Sequence, residues 1–104
     1  MLVIYNGVNS WGEVDGEGTL LAGFNATSQK LSNGTYQITF GTPMPSANYS
    51  IQVSTLAGTN ADIEPREVNY FDQTATGFKV ARFADGNVSN SKFCFAVFAS
   101  NAIA

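Results

Sequence analysis

Three acidic side chains lie close together near the start of the chain. Glu13, Asp15 and Glu17 occupy alternate positions of a glycine-rich stretch. Carboxylate oxygens are the ligands that Ca²⁺ prefers, but an EF-hand spreads its ligands along a longer loop that ends in a bidentate Glu. We therefore predict a solvated acidic loop rather than a metal site.

A second pair of carboxylates has the residue types of a glycosidase. Asp62 and Glu64 point the same way on an extended chain, roughly 7 Å apart, but along one strand and with no groove implied. The chain has no histidine for a serine-based triad and a single cysteine, so it cannot form a paired-cysteine zinc site. It also has no phosphate-binding loop motif. We predict no catalytic residues, no metal and no cofactor.

A binding role for polar loop residues remains open beside these negative predictions. Loops on a rigid sheet commonly carry function, and Asn, Asp and Arg side chains form hydrogen bonds with sugar hydroxyls. Turn chemistry alone also accounts for Asn and Asp at such positions. Trp11 suits stacking on a sugar ring, but a contact in the core or between subunits is favoured. The candidate ligand-binding residues are Asn60, Asp62, Arg66, Arg82, Asp85 and Asn87.

Composition limits the classes of partner. The chain of 104 residues has 44% apolar but only 12% charged residues, about half the usual charged share, and its net charge is −3. A surface so poor in charge favours coverage by further copies of the chain. The net negative charge argues against nucleic acid.

The apolar start of the chain and its single cysteine do not change this assignment. Residues 1–5 are too few to span a membrane, and they lack the basic start and long apolar core of a signal peptide. Cys94 lies between Phe93 and Phe95. It is therefore predicted to pack as a small buried hydrophobe.

The fold prediction centres on residues 34–54. Two alternating stretches there have the period of half-buried strands, and Pro43 and Pro45 prevent either strand from running through. Residues 46–48 suit a tight reversal, with Asn48 in the left-handed region. The apolar positions of the two strands are Tyr36, Ile38, Phe40, Tyr49, Ile51 and Val53.

The rest of the chain also has the pattern of short strands. Residues 12–18 and 55–65 are predicted as loops, residues 72–77 as a hairpin connection and residues 85–87 as a turn. No stretch has a capped helical stripe. About seven short strands at this spacing predict one all-β domain, an antiparallel β-sandwich. The further predicted strands are residues 2–5, 19–27, 67–71, 78–83 and 92–99.

The last predicted strand is apolar on both faces. An antiparallel strand with one wet face alternates apolar and polar residues, and this one does not. We predict that one face, formed by Phe93, Phe95 and Val97, fills the core. The other face is predicted to be an interface between subunits, and it consists of Cys94, Ala96 and Phe98.

Several short motifs are similar to those of a known module. Their most specific part is the Met-Pro-x-Ala-Asn-Tyr run from Met44 to Tyr49, preceded by Phe24-Asn25 and followed by a phenylalanine-rich last strand. Together with Trp11, Gly18-Thr19 and Gly34-Thr35-Tyr36, they resemble a module of bacteriophage tail fibres, closest to those of phages of marine and freshwater bacteria, cyanophages included. The resemblance covers residues 10–102. It implies an obligate β-structured homotrimer on the virion surface, and it carries no catalytic residues over.

We therefore expect a non-enzymatic phage virion protein, assembled in the host cytoplasm. Three functions remain: a trimeric fibre-like module that attaches to a host receptor such as a surface glycan, a capsid decoration or cement protein or small virion appendage, and, least favoured, a glycan-degrading enzyme. The expected partners are copies of the chain, other virion proteins and a host-surface glycan. Residues 1–9 are expected to be a lead-in strand or docking segment. The chain is either a cut-out fibre module or a small protein that reuses the module.

Overall fold

The computed structural model describes residues 8–55 and 66–99, and these residues form strands joined by turns without any helix. The predicted strand at residues 2–5 lies outside the described residues, as does almost all of the predicted loop at residues 55–65. The strands are β1 (Ser10–Val14), β2 (Leu20–Phe24), β3 (Thr27–Ser32), β4 (Thr35–Thr39), β5 (Ser50–Thr55), β6 (Arg66–Thr74), β7 (Gly77–Ala84), β8 (Asn87–Val88) and β9 (Phe93–Phe98).

The strands form two antiparallel sheets that pack face to face. A four-stranded sheet has the order β2-β1-β9-β5, and a five-stranded sheet has the order β3-β4-β7-β6 with β8 paired to β7. Inward residues alternate with outward ones along the strands, as expected for sheets with one face in a core. The predicted all-β, two-sheet architecture is confirmed.

Aromatic rings join the two sheets across the core. Tyr36 on β4 packs against Phe93 on β9 with ring centroids 5.1 Å apart, and Phe78 on β7 meets Phe95 on β9 edge to face at 5.5 Å. The predicted inward face of β9 is thus confirmed. The buried apolar residues are Val14, Tyr36, Ile38, Phe40, Met44, Ile51, Phe78, Val80, Phe93, Phe95 and Val97.

Strand β1 occupies residues that were predicted partly as loop. It lies between β2 and β9 and directs Ser10, Gly12 and Val14 inward. A Cβ on Gly12 would lie 2.7 Å from Leu20 Cδ1 and from Phe95 Cε1, so only glycine leaves room for these neighbours. The prediction of a loop from residue 12 was wrong for residues 12–14, because two of the three inward residues of β1, Ser10 and Gly12, are small rather than apolar.

The predicted strand at residues 19–27 is broken at Asn25. This residue has φ 54°, and the chain passes there from β2 in one sheet to β3 in the other. The Asn25 side chain holds the corner, because its Nδ2 donates to the carbonyls of Asn9 and Thr42, and its Oδ1 accepts the Thr42 amide at 2.6 Å.

The predicted hairpin between β4 and β5 is wrong. The two strands belong to different sheets, so residues 40–49 cross from one sheet to the other. The crossing is tied to the β6–β7 turn, since Met44 donates its amide to Ala75 O at 2.8 Å and the Tyr49 hydroxyl donates to Thr74 O at 2.7 Å. Asn48 is not among the residues with positive φ.

The second half of the chain follows the prediction more closely. Strands β6 and β7 form the expected hairpin, although β6 continues to Thr74, so that only two residues connect them. Asp72 has φ 51° beside an irregularity in the β6–β7 pairing. The turn between β7 and β8 places Asp85 and Gly86 at φ 50° and 81°.

Candidate functional site

The three clustered acids do not converge on a common point. Asp15 Oδ1 accepts the backbone amides of Glu17 and Thr19, each at 2.9 Å, and thereby closes the β1–β2 turn. Glu17 forms an ion pair with Lys30 at 3.8 Å. Glu13, which lies on β1 and not in a loop, pairs with Lys92 at 3.6 Å. Within residues 8–55 and 66–99, no group of three potential metal ligands is present.

Arg82, a predicted ligand-binding residue, has no exposed surface. It continues the inward period of Phe78 and Val80 on β7, and its guanidinium donates to the carbonyls of Glu67 and Lys92. Burial lowers the pKa of Arg82, and the nearby charge of Arg66 lowers it further. Inside the sandwich, Arg82 on β7 therefore links β6 to Lys92, the residue that precedes β9. Its side chain is not exposed on the surface of the single chain.

The other predicted ligand-binding residues are only partly brought together. Arg66 is half-buried and donates to Ser91 Oγ at 3.1 Å. Asp85 and Asn87 are exposed in and beside the β7–β8 turn. Asn60 and Asp62 lie outside the described residues. A ligand role for these residues stays a prediction.

On the outer face of the four-stranded sheet, β2, β1 and β9 carry mostly apolar residues, whereas β5 carries Ser50, Gln52 and Ser54. Strand register places Phe24, Trp11, Ala96 and Gln52 in one row across β2, β1, β9 and β5. Trp11 is 42% exposed and Phe24 is 56% exposed. Of the two contacts predicted for Trp11, in the core or between subunits, the core contact is therefore wrong. We call the outward residues Trp11, Ala22, Phe24, Cys94, Ala96 and Phe98 the apolar face.

Cys94 lies half-buried on the apolar face, opposite Glu13 on β1. Burial raises the pKa of the Cys94 thiol, and the charge of Glu13 raises it further. A protonated thiol is a poor nucleophile, so Cys94 acts here as a small, weakly polar surface residue.

The outer face of the five-stranded sheet is polar. One row across β3, β4, β7 and β6 consists of Gln29, Gln37, Lys79 and Phe71, and the next consists of Thr27, Thr39, Gly77 and Thr74. An open cleft of about 640 Å³ lies on this face. We call it the polar cleft, and it is lined by Gln37, Thr39, Asp72, Gln73, Thr74, Thr76 and Lys79.

The side chains of the polar cleft are held in defined positions. Gln37 Nε2 donates to the carbonyls of Ile38 at 2.9 Å and Phe78 at 3.1 Å. Lys79 Nζ donates to Asp72 Oδ2 at 3.0 Å and lies 6.0 Å from the centroid of the Phe71 ring. Sequence reasoning missed this site, although glutamine and threonine at alternate positions of β4 signal an exposed polar face.

Comparisons with protein-family models, with curated proteins and with solved structures find no match to this chain. Among the described residues, no helix has the length and apolar character needed to span a membrane.

Proposed function

We propose that the chain is a non-enzymatic surface protein of a bacteriophage virion, a homotrimeric tail-fibre-like module that attaches to a glycan on the host surface. The observation that carries the proposal is the apolar face, which one copy leaves uncovered. The sequence resemblance centred on Met44 to Tyr49 supports the phage assignment and the threefold assembly.

The exposed aromatic residues of the apolar face favour its burial against further copies. Trp11, Phe24 and Phe98 are each 40–56% exposed, which leaves roughly 300 Å² of these three residues in contact with water. An area of this order is at the lower end of the range for the largest apolar patch on a soluble monomer, and such patches are often functional.

The charges beside the apolar face are balanced. Glu13 and Lys92 form an ion pair at 3.6 Å, so the surroundings of Ala96 and Cys94 present little net charge to an identical face. Two like copies can therefore approach without the repulsion that a charged patch would create. The low charged fraction of the whole chain, 12%, agrees with this arrangement.

A second candidate function uses the same observation. A capsid decoration or cement protein, or a small virion appendage, would bury the apolar face against another virion protein as well as against its own copies. The two functions differ in where the chain lies on the particle. A glycan-degrading enzyme is the weakest alternative, because the described carboxylates are dispersed.

Three measurements test the proposal. Light scattering of the purified protein is expected to give three times the chain mass of 11.1 kDa, and a stable monomer at micromolar concentration would contradict the trimer. Reconstruction of a virion with this chain located in it decides between fibre and capsid. Incubation with host surface polysaccharide is expected to leave polysaccharide length unchanged, and shortening would instead support the enzyme.

A further inference from the structure

The polar cleft lies beside a close approach of the β7 backbone to the β4 backbone. Gly77 stands between Thr39 on β4 and Thr74 on β6 in the second polar row. A Cβ at Gly77 would lie 2.1 Å from the carbonyl oxygen of Ile38, so the position accepts only glycine. Gly77 is itself buried, so it does not line the cleft but lets β4 and β7 pack closely beside it.

Both donors and acceptors line the cleft in fixed positions. Because Gln37 Nε2 is bound to two backbone carbonyls, its Oε1 is left as an acceptor with no partner among the described residues. The Thr39 hydroxyl likewise forms no hydrogen bond within the described part of the chain. The Lys79 ammonium and the Asp72 carboxylate, with side chains 34% and 60% exposed, add a donor and an acceptor. Such preorganisation lowers the entropy lost when a ligand binds.

The charge of the cleft favours a neutral ligand. Lys79 is the cation of the cleft, and Asp72 cancels its charge at 3.0 Å. A polyanion would require clustered unpaired cations. The Phe71 ring, 39% exposed beside Lys79, supplies an apolar surface next to the hydrogen-bonding groups. A sugar presents the complementary combination of hydroxyl groups and apolar C–H faces.

The position of the cleft argues against an extended peptide. Peptides that add to a sheet bind along an exposed strand edge, where backbone groups are unpaired. The cleft instead lies on the sheet face over β4, β7 and the end of β6, where β7 pairs with β4 on one side and with β6 on the other. It also lies on the opposite side of the sandwich from the apolar face, so assembly through that face leaves the cleft open.

We infer that the polar cleft binds a neutral saccharide of the host surface. This inference rests on the proposed attachment function and places glycan recognition on β4, β6 and β7, away from the loop residues that the sequence suggested. Thr39, Gln37 and Asp72 contact the sugar hydroxyls, and Phe71 contacts a C–H face.

The test uses the full chain and an array of neutral and anionic bacterial surface oligosaccharides. Neutral oligosaccharides are expected to bind, and titration of the ¹⁵N-labelled protein with the tightest of them should shift the amide signals of Gln37, Thr39 and Gly77. Thr39→Val removes one hydroxyl and should weaken binding roughly two- to tenfold. Thr27→Val is the control, since Thr27 pairs directly with Thr39 on the same face but does not line the cleft.

A second variant separates binding from folding. Asp72→Asn removes the carboxylate charge but keeps a residue that tolerates the positive φ, so the fold should persist while affinity falls. The inference is overturned if no neutral oligosaccharide binds, if the shifted amides lie away from the cleft, or if Thr27→Val weakens binding as much as Thr39→Val. Location of the chain on a virion is independent of these results, so failure of the saccharide site and failure of the virion assignment are distinguished.

Discussion

Ala96→Glu tests whether the apolar face is buried between copies. Ala96 points outward from the centre of β9, between Trp11 on β1 and Gln52 on β5. In a single chain the new carboxylate reaches water, so the fold should survive. In the trimer it becomes a buried, unpaired charge, which costs about 3–5 kcal/mol. Since each 1.4 kcal/mol changes an association constant tenfold, association should weaken by roughly two to three and a half orders of magnitude per buried carboxylate.

The chain offers a matched control for this variant. Ala81 is also half-buried and also points outward from an interior strand, but it lies on the polar face between Thr35 and Asn69. Ala81→Glu should therefore leave the trimer intact. Light scattering over a dilution series gives the mass of each variant, and circular dichroism checks the fold. Burial of Ala96 between copies is contradicted if Ala96→Glu remains trimeric at wild-type concentrations, or if both variants dissociate equally.

Four further perturbations address the core, the corner, a half-buried tyrosine and the acidic cluster. Phe95→Ala empties a core position that is 3% exposed and should cost about 3–5 kcal/mol in urea unfolding; a loss below about 1 kcal/mol would contradict the assigned core. Asn25→Leu places a bulky residue at φ 54° and removes the hydrogen bonds of the corner, so it should cost about 2 kcal/mol or more, whereas Asn25→Asp should cost less. Burial raises the pKa of Tyr49 from 10.0 to about 12. Because the folded state retains the phenolic proton of Tyr49 more tightly than the unfolded state does, the stabilisation from this tyrosine is complete below pH 10 and is lost as the pH rises through about 12. Tyr49→Phe should therefore weaken the dependence of the melting temperature on pH in this range. A chelator should leave the melting temperature within about 2 °C, because Glu13, Asp15 and Glu17 have separate partners; a large drop would show that the cluster binds a metal.

Period-two patterns predicted the strands whose inward residues are large. Phe78 and Val80 on β7 and Phe93, Phe95 and Val97 on β9 are apolar at alternate positions and all are buried. Their strands were located to within a residue or two. Burial of a regular apolar row is a local property, so a sequence pattern is enough to find it.

Two other features depended on neighbours that the sequence does not identify. The inward residue Gly12 of β1 has no side chain where Phe95 and Leu20 fill the space beside it. Two alternating strands joined by a proline-rich segment fit a hairpin and a crossing between sheets equally well. In the structure the segment crosses between the sheets, and this crossing buries Met44 and bonds its amide to Ala75 O in the β6–β7 turn.

The candidate sites were harder to predict than the strands. Arg82 was assigned to the surface by its charge, although its position two residues after Val80 on the same strand indicates an inward side chain. The polar cleft depends on cross-strand register, which brings Thr39, Gly77 and Thr74 into one row from three separate strands. Register of this kind is set by long-range pairing and is not encoded in any one stretch.

The placement of the two outer faces on opposite sides of one core has a consequence for how such a protein can diversify. Packed sheets are about 10 Å apart, and substitutions separated by that distance with no shared partner usually have additive effects. A change at Thr39 or Asp72 can thus alter recognition without disturbing contacts made through Trp11 or Ala96. Under the proposed function, a change of host would then require no compensating change in assembly, and lineages that share one quaternary structure would acquire different receptor preferences by a few substitutions on β4, β6 and β7.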